Sequence, residues 1–124
     1  MYAMSKIKIS MIFILFFLVP FTSSALNFIN GLEDIPFYKE MEYVEDSLIL
    51  FDKIDGRYVS VEINGNYEEK EVIGFYKMIL PNLGWREKKS LIFYRNNETL
   101  EIICKRGKEK IYVKFNIFPL EINQ

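Results

Sequence analysis

Apolar positions alternate with polar ones over most of the chain beyond Ser47, and the alternation is broken by a single stretch of helical period. Leu48-Ile49-Leu50-Phe51 is a short apolar run. Asp55-Gly56 supplies a turn, and Arg57 to Ile63 then sets Val59, Val61 and Ile63 on one face. Two such runs around Asp-Gly predict a β-hairpin. At Asn66 the period changes. Asn66 and Glu69 have the spacing of a capping box, and Glu68, Glu69 and Glu71 put negative charge in a first helical turn, where the helix dipole favours it. Val72, Phe75, Tyr76, Ile79, Leu80 and Leu83 follow at helical spacing. Pro81 disfavours the helical conformation at Leu80, and Gly84 suits a C-terminal cap. The pattern predicts a helix over about Tyr67 to Leu80, with Phe75, Tyr76, Ile79 and Leu80 as its buried stripe and Trp85 folded back on its end.

Three further strands are predicted. Ser90 to Arg95 ends at the turn pair Asn96-Asn97, Thr99 to Lys105 ends at Arg106-Gly107, and Lys110 to Phe118 alternates without a break through Ile111, Val113, Phe115 and Ile117. The predicted order is therefore ββαβββ. One amphipathic helix and hairpin-linked strands define the class as α+β, a mostly antiparallel sheet with one face covered. Residues 26–46 show neither period. They read as an extended arm or loop that docks Phe37, Tyr38 or Tyr43 on a single domain covering 47–124.

The first 25 residues follow a different rule. Lys6 and Lys8 open the segment, Ile9 to Val19 is apolar apart from Ser10, and Ser23-Ser24-Ala25 places small residues where signal peptidase needs them. The apolar stretch falls short of the roughly 20 residues of a membrane span. Residues 1–25 thus read as a secretory signal cleaved before Leu26; the competing reading is an uncleaved N-terminal anchor. The only cysteine is Cys104. No internal disulfide can form, and no cysteine stands at the export cut to carry a lipid. The expectation is an exported protein, periplasmic or extracellular, with neither a lipid anchor nor a transmembrane helix after cleavage.

Two stretches carry a resemblance. Ser47-Leu48-Ile49-Leu50-Phe51-Asp52-Lys53 is followed by Gly56-Arg57, and Val72-Ile73-Gly74-Phe75-Tyr76-Lys77-Met78-Ile79-Leu80-Pro81-Asn82-Leu83-Gly84-Trp85 comes after it. Together they resemble a family of small exported proteins of Gram-negative bacteria without assigned function, in which a strand with FDK and GR precedes a helix reading FYxxxLPxLGW. The resemblance covers about residues 32–118. It implies a periplasmic location and a βαβ-type domain, and it implies no catalytic residue.

The residue inventory narrows the chemistry. The chain has no histidine, which rules out Ser-His-Asp and Cys-His catalysis, His-ligated zinc and a His proton shuttle. One cysteine cannot build a cysteine zinc site, and no Gly-rich phosphate loop is present. Asp52-Lys53-Ile54-Asp55-Gly56 superficially suggests a calcium loop, but Ile54 and Gly56 stand where ligands are needed. The neighbouring acids Glu33-Asp34 and Glu45-Asp46, and Lys89-Ser90, have residue types used in acid–base or Ser-Lys catalysis. They lack any supporting constellation and read as loop charges. Cys104 shares parity with Leu100 and Ile102. It reads as an inert core thiol, with a disulfide to another chain as the alternative. Asn97-Glu98-Thr99 fits the N-glycosylation pattern, which matters only in a eukaryotic secretory pathway. No catalytic residue, metal site or cofactor is expected.

Charge is unevenly spread. Residues 26–76 carry a net −8 and residues 77–124 a net +5. Lys105, Arg106, Lys108 and Lys110 surround one predicted turn, and Tyr94, Tyr112 and Phe118 fall on the sheet face away from the helix. Aromatics are not interleaved with the basic residues as nucleic-acid stacking requires. Lys105, Arg106, Lys108, Lys110, Tyr94 and Tyr112 are the candidate interaction surface. The expected function is a non-catalytic module binding a protein or an envelope component. The alternative is a small-ligand carrier or envelope enzyme with its site between sheet and arm. An internally neutralised pair of halves would produce the same charge asymmetry.

Overall fold

A computed structural model describes residues 27–120; the expected signal, residues 1–25, lies outside them. Nine strands and one helix follow in the order β1 (Phe28–Ile29), β2 (Leu32–Pro36), β3 (Glu42–Tyr43), β4 (Ile49–Lys53), β5 (Gly56–Gly65), α1 (Glu69–Asn82), β6 (Arg86–Lys89), β7 (Ile92–Arg95), β8 (Glu98–Arg106) and β9 (Ile111–Pro119). The class is α+β and every strand pairing is antiparallel. The order ββαβββ is too simple. Five strands precede the helix and four follow it. Residues 27–46 form a small hairpin, β1–β2, and then β3, while Arg86–Lys89 adds an edge strand whose four charged residues carry no apolar period.

The main sheet has seven strands in the order β3-β5-β9-β8-β7-β6, with β4 also paired to β5. Strands β3 and β4 run along the same side of β5. Tyr43 pairs with Ile63 and Ile49 with Ser60, so five residues of this edge span two of β5 in a wide bulge. The Val44 amide donates to the Glu62 carbonyl, and the Ser47 hydroxyl accepts from the Glu62 amide. The β4–β5 turn is Ile54-Asp55, one residue earlier than the Asp-Gly signal suggests, with Lys53 opposite Gly56. That displaces the pairing by two residues, so each side chain stays on its expected face.

The inner face of the sheet buries Val59, Val61 and Ile63 of β5, Ile111, Val113, Phe115 and Ile117 of β9, Leu100 and Ile102 of β8 and Phe93 of β7. Helix α1 covers it with Val72, Tyr76 and Leu80, and the β1–β2 hairpin with Ile29, Leu32 and Ile35. The buried helical stripe thus runs along one i, i+4, i+8 line. Phe75 is only half-buried, against the fuller burial its spacing suggests. It stacks on Tyr76 with ring centroids 5.0 Å apart and meets Tyr38 edge-on at 5.2 Å, at the rim of the core. Tyr76 is the link between helix and hairpin: its buried hydroxyl donates to the Pro36 carbonyl at 2.9 Å, and burial raises its pKa.

Both helix ends depart from expectation. Strand β5 continues to Gly65, so the N-cap is Glu68, with no side-chain cap bond, instead of Asn66. At the other end the helix runs through Pro81 to Asn82. The Gly84 amide donates to the Pro81 carbonyl and the Trp85 amide to the Leu80 carbonyl. This is the Schellman pattern, with Gly84 in the left-handed region at φ 92°. The exit buries Trp85 as the sequence suggests.

Candidate interaction face

The outer face of the sheet alternates with the inner one. Its residues are Ile49 and Phe51 of β4, Tyr58, Ser60, Glu62 and Asn64 of β5, Tyr112, Lys114, Asn116 and Phe118 of β9, Thr99, Glu101, Ile103 and Lys105 of β8, and Ile92 and Tyr94 of β7. Residues 27–46 pack with the helix on the opposite face through Ile29, Leu32, Ile35 and Met41. Among the described residues, then, the arm does not cover the outer tyrosines.

The pairing registers place Phe51, Tyr58, Phe118, Thr99 and Tyr94 in one row across five strands, at one end of this face. Phe51 and Tyr58 stack with centroids 5.0 Å apart and planes 7° from parallel. The Lys53 ammonium sits over both rings, 4.9 Å from the Tyr58 centroid. The Tyr58 hydroxyl donates to Asp55 at 3.1 Å. Beside this pair lies an open groove of about 380 Å³ lined by Ile49, Phe51, Tyr58, Ser60, Asn116 and Phe118. Glu101 also lines it and accepts from the Asn116 amide at 3.2 Å. The groove is apolar in its walls and carries one bonded polar pair, an arrangement suited to receiving an apolar side chain.

The residues singled out in the sequence divide between two places. Lys105, Arg106, Lys108 and Lys110 are all exposed around the β8–β9 turn, which the Gly107 amide closes on the Lys110 carbonyl at 2.8 Å. Arg106 turns back to donate to the Tyr67 carbonyl at 3.1 Å. Tyr112 pairs with Lys105, and its ring lies against Gly107, so it belongs to this basic end. Lys110 also shares a recess of about 270 Å³ with Glu40 and Glu42 of the arm. The acidic half of the chain thus comes alongside the basic turn there.

Tyr94 is elsewhere. Its register position matches Phe118, six residues from Tyr112 along β9, a separation of roughly 20 Å at about 3.3 Å per residue. Tyr94 carries the Lys88 ammonium over its ring at 5.2 Å and lines a cleft of about 570 Å³ with Arg86, Lys88, Arg95 and Asn96. Tyr94, Tyr112 and Lys105 therefore share the outer face at two separate ends, whereas Arg106, opposite the inner-face Ile111, and Lys108 and Lys110 of the turn do not lie on it.

Sequence reasoning missed Ile49, Phe51 and Tyr58. Their parity, opposite to Val59 and Val61, was available. Strand order, which sets Phe51 and Tyr58 in line with Phe118, was not.

Cys104 packs against the core while remaining partly accessible, and burial pushes its thiol up to about 11. Among the described residues no group of His, Cys, Asp and Glu is arranged to hold a metal ion, and no helix is long and apolar enough to cross a membrane. Comparison with known proteins gave no match: no family model, no curated protein and no solved structure is significantly similar to the chain.

Proposed function

We propose that the chain is an exported, non-catalytic binding domain of the cell envelope that engages a protein through the outer face of its sheet. One observation carries the reading. Residues 27–120 leave that face uncovered, with an aromatic groove at one end and, at the other, Lys105 beside the exposed cations of the β8–β9 turn. The partner that fits it presents an apolar or aromatic side chain to the groove and carboxylates to the turn. The distance between the two ends, roughly 20 Å, is the span of an ordinary interface of about 800 Å² per partner. Export rests on residues 1–25, and the periplasmic location on the resemblance described above.

A small-ligand carrier or enzyme with its site between sheet and arm has less support. That space is taken by Ile29, Leu32, Ile35 and Met41. The polar cleft around Tyr94 is lined by cations and not by convergent carboxylates.

The test is capture from envelope extracts with three proteins: the parent, a Phe51→Ser/Phe118→Ser variant, and a variant with Lys105, Arg106, Lys108 and Lys110 changed to Gln. The expected result is one protein captured by the parent, lost with the groove variant, and lost at high salt or with the Gln variant. Salt discriminates because the Debye length shrinks from about 10 Å at 0.1 M to about 3 Å at 1 M. Equal capture by all three proteins would overturn the reading. So would binding to anionic vesicles that depends on the basic turn alone.

A further inference from the structure

The two edges of the main sheet are built on opposite principles. Strand β6 is Arg-Glu-Lys-Lys, exposed throughout and broken by a register shift between Glu87 and Lys89. Charge and irregularity of this kind block a sheet edge against another strand. Strand β4 has neither defence over its first three residues. Its register is regular from Ile49 to Lys53, and Leu48, Ile49, Leu50 and Phe51 are 39%, 57%, 56% and 45% exposed. With Ile54 they make five of the ten large apolar side chains that are exposed among the described residues.

The hydrogen-bonding pattern shows which backbone groups are open. Lys53 and Gly56 flank a two-residue turn, so they exchange hydrogen bonds, and alternation makes Phe51–Tyr58 and Ile49–Ser60 bonded pairs as well. The contact of Glu62 with Val44 and Ser47 continues the same alternation along β5. The amide and carbonyl of Leu50 and of Asp52 therefore point away from β5.

We propose that β4 is a self-association edge, on which a second copy of this chain adds its own β4 antiparallel about a two-fold axis through Leu50. The choice of a second copy rests on the strand's self-complementarity. Centring the register on Leu50 sets Ile49 against the second copy's Phe51 and Leu50 against its Leu50, so every apolar residue of β4 meets an apolar residue. Asp52 faces the copy's Leu48, and Lys53 its Ser47, one residue from the acidic Glu45-Asp46 turn. Shifting the axis by one residue to Ile49 opposes Asp52 to Asp46, and shifting it to Phe51 opposes Leu50 to Asp52. The outward groups of Leu50 then exchange two hydrogen bonds across the axis. Because such an axis is perpendicular to the sheet, both outer faces remain on one side, and the two grooves at Ile49 and Phe51 become neighbours in one trough. A strip this short buries less than the roughly 800 Å² per partner of a standard interface, so the dimer is weak and concentration-dependent. The pairing does not depend on the outer face binding a protein.

Sedimentation equilibrium of the mature chain should show mass rising towards twice that of the monomer with concentration. Leu50→Pro removes only the outward amide and Leu50→Lys adds charge to the edge. Each should abolish the rise while Trp85 fluorescence stays that of the folded protein, and Lys88→Glu at the opposite edge should not affect it. Register is tested in a Cys104→Ser background. Bonded antiparallel pairs place Cα atoms about 5.5 Å apart, within disulfide range. Oxidation should therefore link Leu50→Cys into a covalent dimer and leave Asp52→Cys largely unlinked. A monomer at every concentration overturns the proposal. So does a dimer that survives both Leu50 substitutions, or equal cross-linking at positions 50 and 52.

Discussion

The Arg95 guanidinium lies over the Trp85 indole, 4.2 Å from the ring centroid. From there it donates to the Leu83 carbonyl at 3.1 Å and pairs with Asp34. One side chain of β7 therefore joins the helix exit, the core tryptophan and the arm. Arg95→Ala should lower stability by about 1–3 kcal/mol, since a partly desolvated cation–π contact is worth about 0.5–2 kcal/mol. Asp34→Ala should cost only about 0–1 kcal/mol, as exposed ion pairs do. Trp85 is the only tryptophan, so its emission during chemical denaturation reads both variants. Equal losses would mean that the ion pair, and not the stacking, supplies the effect.

Tyr76 and Phe75 are adjacent yet should respond very differently. Tyr76→Phe strands the Pro36 carbonyl in the core, a loss of about 1–3 kcal/mol for an unpaired buried group. Tyr76→Ala should approach the roughly 3–5 kcal/mol of a large aromatic truncation. Phe75→Ala, at the rim, should fall nearer the roughly 1 kcal/mol of an average substitution. Urea titrations that rank Phe75→Ala above Tyr76→Ala would show that the helix is rotated from the orientation described.

Gly84→Ala tests the helix exit. A side chain there must adopt φ 92°, and its Cβ would come within 3.3 Å of the Arg95 Cδ. The left-handed conformation alone costs roughly 1–2 kcal/mol. Thermal unfolding should show a lowered midpoint together with altered Trp85 emission, because Trp85 immediately follows. An unchanged midpoint would remove the Schellman closure from the account.

The helix core, β8, β9 and the inner-face residues of β5 were all legible, because each keeps one period over at least seven residues. What was not legible has physical reasons. Strands of two residues, such as Phe28–Ile29 and Glu42–Tyr43, are too short to show alternation. Arg86–Lys89 is held by its pairing to β7 and not by burial. Asn66 has good capping chemistry, but Gly65 still belongs to β5 and Asn66-Tyr67 are spent on the connection. Pro81 lies in the last turn, where the Leu80 and Pro81 carbonyls are satisfied by Trp85 and Gly84. For the outer face, parity identified Tyr94, Tyr112 and Phe118, whereas their separation depends on strand pairing, which no local pattern records.

Cys104 gives the fold an alkaline limit. Its pKa rises from 9.0 to about 11 on folding, by burial first. In the unfolded chain the thiol loses its proton at lower pH than in the folded one. The contribution is therefore intact below pH 9 and is lost as pH rises through about 11. Tyr76, also raised by burial, acts in the same direction. Cys104→Ser should retain more of its stability between pH 9 and 11 than the parent, followed by denaturant midpoints across that range. Thiol alkylation of the folded protein should be slow at pH 8 and speed up with an apparent pKa near 11. Fast alkylation at pH 8 would place the thiol in solvent.

Strand β9 pairs with β5 on one side and β8 on the other, so the middle of the sheet is supplied by the last of the described strands. The Val59–Ile117 pairing spans nearly half the chain. Until Ile111–Pro119 is in place, β5 has strand partners only on its β3–β4 side, and the β3-β4-β5 and β6-β7-β8 parts of the main sheet remain unjoined. Contacts this distant in sequence slow folding, since the loop must close before they form. Strand β9 is therefore the segment whose removal would part the main sheet into two.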